Sequence, residues 1–446
     1  MDLKKTAKEI LDKILQHNVD DAEVYLLSSR ATTIEVKKQK IDAFVEASAR
    51  GVGLRVLQEN RMGFSSASLS DGSEVSSLID HALSSATYTE QDRYNTLPAS
   101  RQMPEVKLDI YDPHLPAVGE EEKIGRAMDL EKAALDTDKR IQVVRKAGYR
   151  DSEFTLHIMS SSGIDASYSS TSCSASVMLM ADDGRDQQMG WDSDFSRSFS
   201  GLDVTAVGQR AAMNAVALLG ARTAPTIKCP VLLTPLAAVN FLEVFIPAFS
   251  AEAVQKGKSL LIDKKGEAVA SSAVTLVDDG LLCGGLGTAP YDDEGVAAQT
   301  KYLIRKGLLE GFLHNAYTAA KEGVSSTGNG VRSGYSSTPY VGPTNLFIEK
   351  GEQSRDQIVR GMDKGVEILE VMGMHTANPI SGEFSVGIAG TWIENGRPSH
   401  PVRGGAIAGN FIDLLLKVEG VGKDLRFFGA VGSPSLLIGN LSVSGE

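Results

Sequence analysis

The 446-residue sequence predicts an α+β protein: an N-terminal half of two helix–antiparallel-strand–helix units, then a β-rich C-terminal domain, barrel- or sandwich-like, with a few helices. Three observations carry this prediction. Apolar residues recur first at helical spacing and then at period two, and this order runs twice before residue 222. The glycines fall increasingly in pairs after residue 280, as tight turns between short strands require. The length suits several domains at about 100–200 residues each. Units are expected at residues 1–100, 119–222 and 226–446, with a linker at 101–118.

In chain order, residues 3–15 place Leu3, Ala7, Ile10, Leu11, Ile14 and Leu15 on one helical face. Alternation follows at Val24 and Leu26, at Ile34 and Val36, and at Val52, Leu54 and Val56. Gly51, Gly53, Glu59-Asn60 and Gly63 read as turn residues, and Lys37-Lys38-Gln39-Lys40 as a solvated hairpin turn. Asp71 or Ser73 would cap a helix reaching about residue 87. Pro98, Pro104, Pro113 and Pro116 mark the linker. The second unit opens with a helix at 120–136 and continues through strands near 139–147, 153–160, 164–170, 173–181 and 187–199. It closes with a helix between Asp203 as N-cap and Gly220 as C-cap, so the order of elements suggests a structural duplication. Ile227 to Leu233 is then a short apolar strand, and residues 236–254 are helical apart from Pro247. Hairpins are expected at Arg305-Lys306-Gly307 and at Asn395-Gly396. Between them, Ser354-x-x-Gln357 is a capping box announcing a helix through Ile358, Met362, Val366, Ile368 and Leu369.

Charge narrows the function. Lysine and arginine total 45 against 57 aspartate and glutamate, a formal net charge of −12. Such a chain repels nucleic-acid phosphates, and it has no basic stripe to overcome that repulsion, so no direct nucleic-acid binding is expected. Cys173, Cys229 and Cys283 lie far apart without a Cys-x-x-Cys pair, as in a protein of the reducing cytoplasm. The N-terminus lacks an apolar signal core, and no run approaches the roughly 18 apolar residues of a membrane helix. A cytoplasmic protein without membrane contact is the expectation.

The familiar catalytic patterns are absent. The closest histidines, His375 and His400, are 25 residues apart, so no pair can chelate a metal from one helix. Gly257-Lys258-Ser259 ends like a phosphate loop, but Glu252 stands where the first glycine belongs. Gly285-Leu286-Gly287 lacks the third glycine of a dinucleotide turn. No Gly-x-Ser-x-Gly elbow occurs, and Ser433 in Gly432-Ser433-Pro434 reads as a turn residue. Two polar clusters remain. Asp292-Asp293-Glu294 could face a cation, but adjacent side chains diverge, so these carboxylates are expected to accept backbone N–H groups or pair with arginines. The loop from Met374 to Phe384 concentrates hydrogen-bonding groups, and His375, Asn378, Ser381 and Glu383 are candidate peptide-binding residues.

Five stretches together resemble the TldD/TldE (PmbA) family, historically labelled modulators of DNA gyrase. They are Gly51-Val52-Gly53-Leu54-Arg55-Val56, Pro290-Tyr291-Asp292-Asp293-Glu294-Gly295, Ser326-Thr327-Gly328-Asn329-Gly330, Asn378 through Ser385, and Glu394-Asn395-Gly396 with Pro401-Val402-Arg403-Gly404. The TldD-like branch of that family resembles a zinc peptidase, with a His-Glu-x-x-x-His helix and a cysteine near the C-terminus. Anchored on Lys256-Gly257, that motif falls on Leu242 through Pro247. Glu243 matches the glutamate, whereas Leu242 and Pro247 occupy the histidine positions, and no cysteine stands between Phe428 and Pro434. Leucine and proline side chains offer no donor atom to Zn²⁺, and a glutamate without metal-bound water has nothing to activate.

The resemblance therefore implies the TldE/PmbA branch: no catalytic zinc on this chain, and a zinc-bearing TldD-type subunit as partner in a heteromeric peptidase. It implies unfolded or extended peptides as substrates, as in leader-peptide removal from bacteriocin precursors and degradation of an antitoxin. Any effect on gyrase would then be indirect, through proteolysis, and a homodimer in isolation is compatible with this reading. The alternative is a metal-free enzyme or small-molecule-binding protein in which His375, Glu383 and Glu243 supply acid–base groups to one cleft.

Overall fold

The computed structural model describes residues 2–69, 75–99 and 106–445. The capping role read for Asp71 or Ser73, and Pro104 of the linker, fall outside them.

The N-terminal half runs α1 (Leu3–Ile14), β1 (Asp21–Lys37), β2 (Lys40–Gln58), β3 (Arg61–Ser68), α2 (Val75–Tyr88), α3 (Glu120–Thr137), β4 (Ile141–Ser160), β5 (Asp165–Asp182), β6 (Gln187–Ser196) and α4 (Val204–Ala217). The periodicity that predicted α1 holds: Ala7, Ile10, Leu11 and Ile14 are buried, and the Asp2 side chain caps its N-terminus. Lys38 and Gln39, like Glu59 and Asn60, take positive φ, so two-residue turns of the I′ kind close β1–β2 and β2–β3. All six strands join one antiparallel sheet in the order β3-β2-β1-β4-β5-β6. That order is symmetric about the β1–β4 pair, with two helices contributed by each half, as a duplicated helix–three-strand–helix unit would give.

Two details of the expected layout change. The five strands read between residues 139 and 199 are three, because Ile141–Ser160 and Asp165–Asp182 run unbroken. Register shifts near Val143 and Val144 disturb the alternation, and the polar middle is stitched by hydroxyl pairs such as Thr155–Ser169 at 2.7 Å. Gly51, Gly53 and Gly63 are not turn residues either; they lie within β2 and β3. A Cβ at Gly53 would sit 2.5 Å from the Tyr335 carbonyl, and one at Gly63 would sit 2.1 Å from the Ala82 carbonyl. Close backbone approach, rather than chain reversal, is what glycine serves here.

The C-terminal part contains β7 (Arg222–Thr223), β8 (Ile227–Leu233), α5 (Pro235–Phe245), a 3-10 turn (Ile246–Phe249), α6 (Ala251–Gln255), β9 (Leu276–Asp279), β10 (Thr300–Arg305), β11 (Leu308–Leu309), α7 (Ala316–Glu322), β12 (Gly330–Val331), β13 (Tyr340–Val341), β14 (Leu346–Ile348), α8 (Arg355–Gly361) and β15 (Lys364–Met372). It ends with β16 (Glu383–Glu394), β17 (Arg397–Asn410), α9 (Phe411–Leu416), β18 (Val418–Val421), β19 (Arg426–Phe428), β20 (Val431–Ser433) and β21 (Leu436–Ser444). Strand β21 pairs with both β8 and β17, so β8, β15, β16, β17 and β21 close into a five-strand barrel. A second sheet runs β11-β10-β9-β14-β20-β19.

The hairpins at Lys306-Gly307 and Asn395-Gly396 form as expected, with positive φ at both residues of each turn. The capping box at Ser354 and Gln357 also forms, but its helix stops at Gly361. Val366, Ile368 and Leu369 belong to β15 instead, where Val366 and Ile368 enter the core and Glu367 is held by Arg355. Period two, not helical spacing, orders that stretch. Helix α5 packs on β15 and β20, and aromatic contacts fix it: Phe241 meets Phe384 edge-on at 5.0 Å, and Phe245 stacks on Phe411 at 4.2 Å.

Candidate functional site

Helix α5 starts where Thr234 caps it and Pro235 presets its first turn. It tightens into the 3-10 turn at Ile246-Pro247, since proline cannot donate to the helical ladder. One side of the helix is sealed: Phe241, Leu242 and Phe245 are buried, with Leu242 only 3% exposed inside the largest core cluster. Glu243 and Pro247 face solvent. Loss of surrounding water raises the Glu243 carboxyl above its ordinary value, and among the described residues no hydrogen bond or ion pair engages it. Strand β20 lies against this helix, and there Ser433 is fully buried with its hydroxyl donating to the Pro434 carbonyl at 2.8 Å. The hydrocarbon side chains of Leu242 and Pro247 carry no lone pair and offer nothing to a metal ion. Among the described residues, no three His, Cys, Asp or Glu side chains gather where they could hold a metal ion.

Pro247 lines an apolar cleft of about 550 Å³, together with Lys258, Leu313, Tyr340, Pro379 and Ile380. The cleft thus brings the end of the α5 segment to the tip of the polar loop singled out in the sequence. Within that loop Asn378 folds its own turn: its side chain accepts from the N–H groups of Ile380 and Ser381 at 2.9 and 3.2 Å, and its N–H donates to the Glu383 carbonyl at 2.8 Å. Ser381 donates to Glu383 at 3.3 Å, and His375 is exposed on a single 3-10 turn. These side chains shape the loop so that Pro379 and Ile380 reach the cleft. Among the described residues, no hydrogen bond or ion pair joins His375, Glu383 and Glu243 to one another.

Asp292, Asp293 and Glu294 occupy a different place, the junction between the N-terminal sheet and the C-terminal part. Asp292 accepts the N–H groups of Glu294, Val296 and Gly330 at 2.8–2.9 Å. Asp293 accepts from the Arg332 N–H at 2.7 Å and the Tyr25 hydroxyl at 3.2 Å. Glu294 receives Arg55 at 3.0 Å and the Ala316 N–H, which opens α7, at 2.7 Å. Arg55 also holds Glu23 at 2.7 Å, and Arg332 closes the chain of charges on Glu23. Burial would raise Glu23, but Arg55 and Arg332 outweigh it and hold the carboxyl below its usual range. Asp292 goes the other way, raised by burial and by the neighbouring Glu294 charge. The cluster therefore does what backbone and arginine partners require and is a structural lock. Sequence reasoning missed Glu23 and Arg332, because nothing local in the sequence marks a residue whose partner lies hundreds of positions away.

Three of the five stretches that carry the family resemblance meet at this lock, so the resemblance rests largely on the junction. The fold defined here, a duplicated α+β half locked onto a closed barrel, is that of a metallopeptidase class described domain by domain. Profiles of PmbA/TldA metallopeptidase domain 1, the central domain and the C-terminal domain match residues 22–86, 113–219 and 226–445. The chain is 27% identical to metalloprotease PmbA of Escherichia coli O157:H7 over 432 residues, covering 96% of this chain and 93% of that one. A crystal structure from Thermotoga maritima, named for modulation of a DNA gyrase, is 31% identical with a TM-score of 0.91, covering 99% of this chain and all of that one. TldE of Thermococcus kodakarensis, at 24% identity, shares the fold with a TM-score of 0.91 over 98% of this chain and 99% of that one. The chain belongs to the PmbA/TldD metallopeptidase family.

Proposed function

We propose that this chain is the zinc-free subunit of a heteromeric peptidase, working with a zinc-bearing TldD-type partner on unfolded or extended peptides. The observation that carries the reading is Leu242, sealed in the core at the position where the family's zinc peptidases place their first histidine. Pro247, at the second, offers an apolar wall instead of a ligand. The cleft beside it suits the apolar side chains of an extended chain. Strand β13 pairs only with β12 among the described residues, so its other edge is open to backbone hydrogen bonds that make no sequence demand. No helix among the described residues is long and apolar enough to cross a membrane, and the sparse, separated cysteines favour a cytoplasmic role. An influence on gyrase would pass through proteolysis of another protein, since a chain of net charge −12 is repelled overall by DNA phosphates.

Metal analysis of the purified chain tests the first half of this reading. Zinc well below one equivalent is expected, and stoichiometric zinc would overturn it. Affinity purification from the native host tests the second. Recovery of a zinc metallopeptidase subunit is expected, whereas a homomer with peptidase activity of its own would reject the subunit role.

A further inference from the structure

Between the second N-terminal unit and the barrel lies a cavity of about 140 Å³. Trp191 of β6, Leu236 in the first turn of α5, Leu369 of β15 and Phe428 of β19 give it apolar walls. Two opposite charges, Glu370 and Arg426, share its lining. A register shift between Ile368 and Glu370 breaks the alternation of β15, so two consecutive residues, Leu369 and Glu370, both reach the cavity. The two charges do not pair with each other. Arg426 is held through Nη2, which donates to Asp192 at 2.7 and 2.9 Å and to the Ser193 carbonyl at 2.9 Å, while its guanidinium lies 4.5 Å over the Phe428 ring. Among the described residues its Nε and Nη1 meet no acceptor, and no hydrogen bond or ion pair engages Glu370. Burial raises the Glu370 carboxyl above its ordinary value, and Arg403, which donates to Gln188 at 2.5 Å, offsets this only in part. Asp192, the other carboxylate on the lining, is already engaged by Arg210 and Arg426.

We propose that this cavity binds a free α-amino acid with an apolar side chain, its ammonium on Glu370 and its carboxylate on Arg426. The ligand class follows from the charges left over. A cation alone would leave the open edge of Arg426 unmet, an anion alone would leave a partly buried carboxylate unmet, and a wholly apolar ligand would strip water from both. A zwitterion meets each with a charge-assisted hydrogen bond. Trp191, Leu369 and Phe428 then take the side chain, and a few polar groups set in apolar walls are the usual make-up of a small-molecule site. A cavity of about 150 Å³ holds one benzene molecule, so this one has room for one residue and not for a peptide. Amino acids of this class are end products of peptide hydrolysis.

Isothermal titration calorimetry of the full-length chain with L-leucine tests the proposal. Saturable binding at one site is expected. L-leucinamide lacks the carboxylate and N-acetyl-L-leucine lacks the ammonium, and each is expected to bind about tenfold more weakly or worse, as loss of a charged hydrogen bond implies. Glu370→Gln should weaken L-leucine by a similar factor and leave N-acetyl-L-leucine unchanged, a pattern that general damage to the cavity would not give. Glu370 has no partner to lose, so the variant should keep the wild-type melting temperature. If it does not fold, the three ligands compared on the wild type decide alone. No saturable binding at millimolar L-leucine, equal binding of the three ligands, or equally tight binding of the dipeptide Leu-Leu overturns the proposal. The cavity lies at the first turn of α5, apart from the cleft at Pro247, so either result leaves the zinc-free reading to its own test.

Discussion

Arg55 is 6% exposed and serves two carboxylates, Glu23 and Glu294, each about 1% exposed or less. Replacing it with methionine leaves buried charge without its partner, a change that typically costs about 3–5 kcal/mol. Urea unfolding of Arg55→Met should show a loss of that order. The pH dependence has a definite sign. Glu23 is held below its ordinary value of 4.5, so its contribution to stability is present above that value and is lost as pH falls through its lower folded value. The gap between wild type and Arg55→Met should therefore narrow on acidification, and a constant gap from pH 7 to pH 3 would contradict the assignment. Asp292 and Asp293, raised first by burial, act in the opposite direction: what they contribute is lost as pH rises through their folded values. A second prediction concerns Leu242. Leu242→His places an imidazole in an apolar core and should cost about 1–3 kcal/mol. Paired with Pro247→His, it should still bind zinc at well below one equivalent, because β20, the strand packed on this helix, carries only Val431, Gly432 and Ser433 and so brings no histidine, cysteine or carboxylate to complete a site.

At the scale of elements, β2 shows how one strand serves two neighbours. Gly51 and Gly53 leave room for Tyr335, whose ring would lie 2.4 Å from a Cβ at Gly51 and whose carbonyl would lie 2.5 Å from one at Gly53. A ring can swing aside more readily than a backbone carbonyl. Gly53→Ala should therefore cost more than Gly51→Ala, within the roughly 1–3 kcal/mol of an overpacked site. Tyr335→Ala should relieve Gly51→Ala and leave Gly53→Ala uncorrected in thermal melts. Short elements were legible where local chemistry marks them. The Ser354 capping box, the Asp203 cap and the Asn395-Gly396 turn all stand where their residues indicate. The length of β4 and the end of α8 were not legible, because bulges shift the alternation of one and the barrel core claims the residues after the other. At the candidate site, the sequence marked the loop, but only packing showed that Pro379 and Ile380, rather than His375 or Glu383, reach the cleft.

For the molecule as a whole, the two halves are joined by charge as well as by packing. Glu23, Arg55, Glu294 and Arg332 lock the first unit, and Arg426 reaches the buried Asp192 of the second at 2.7 Å. None of these contacts requires a metal ion. Incubation with a strong chelator should leave the melting temperature of the purified chain unchanged, and a drop of several degrees would point to a structural metal. The sequence by itself determined the α+β order, the hairpin turns at Lys306-Gly307 and Asn395-Gly396, and the family. Those properties reside in residue types and short spacings, which a linear reading preserves. The tertiary structure alone decided that the six N-terminal strands form one sheet, that five others close a barrel, and that the three carboxylates are a lock. Each of those outcomes depends on partners more than a hundred residues apart, and only folding determines which backbone amide or guanidinium a buried carboxylate meets.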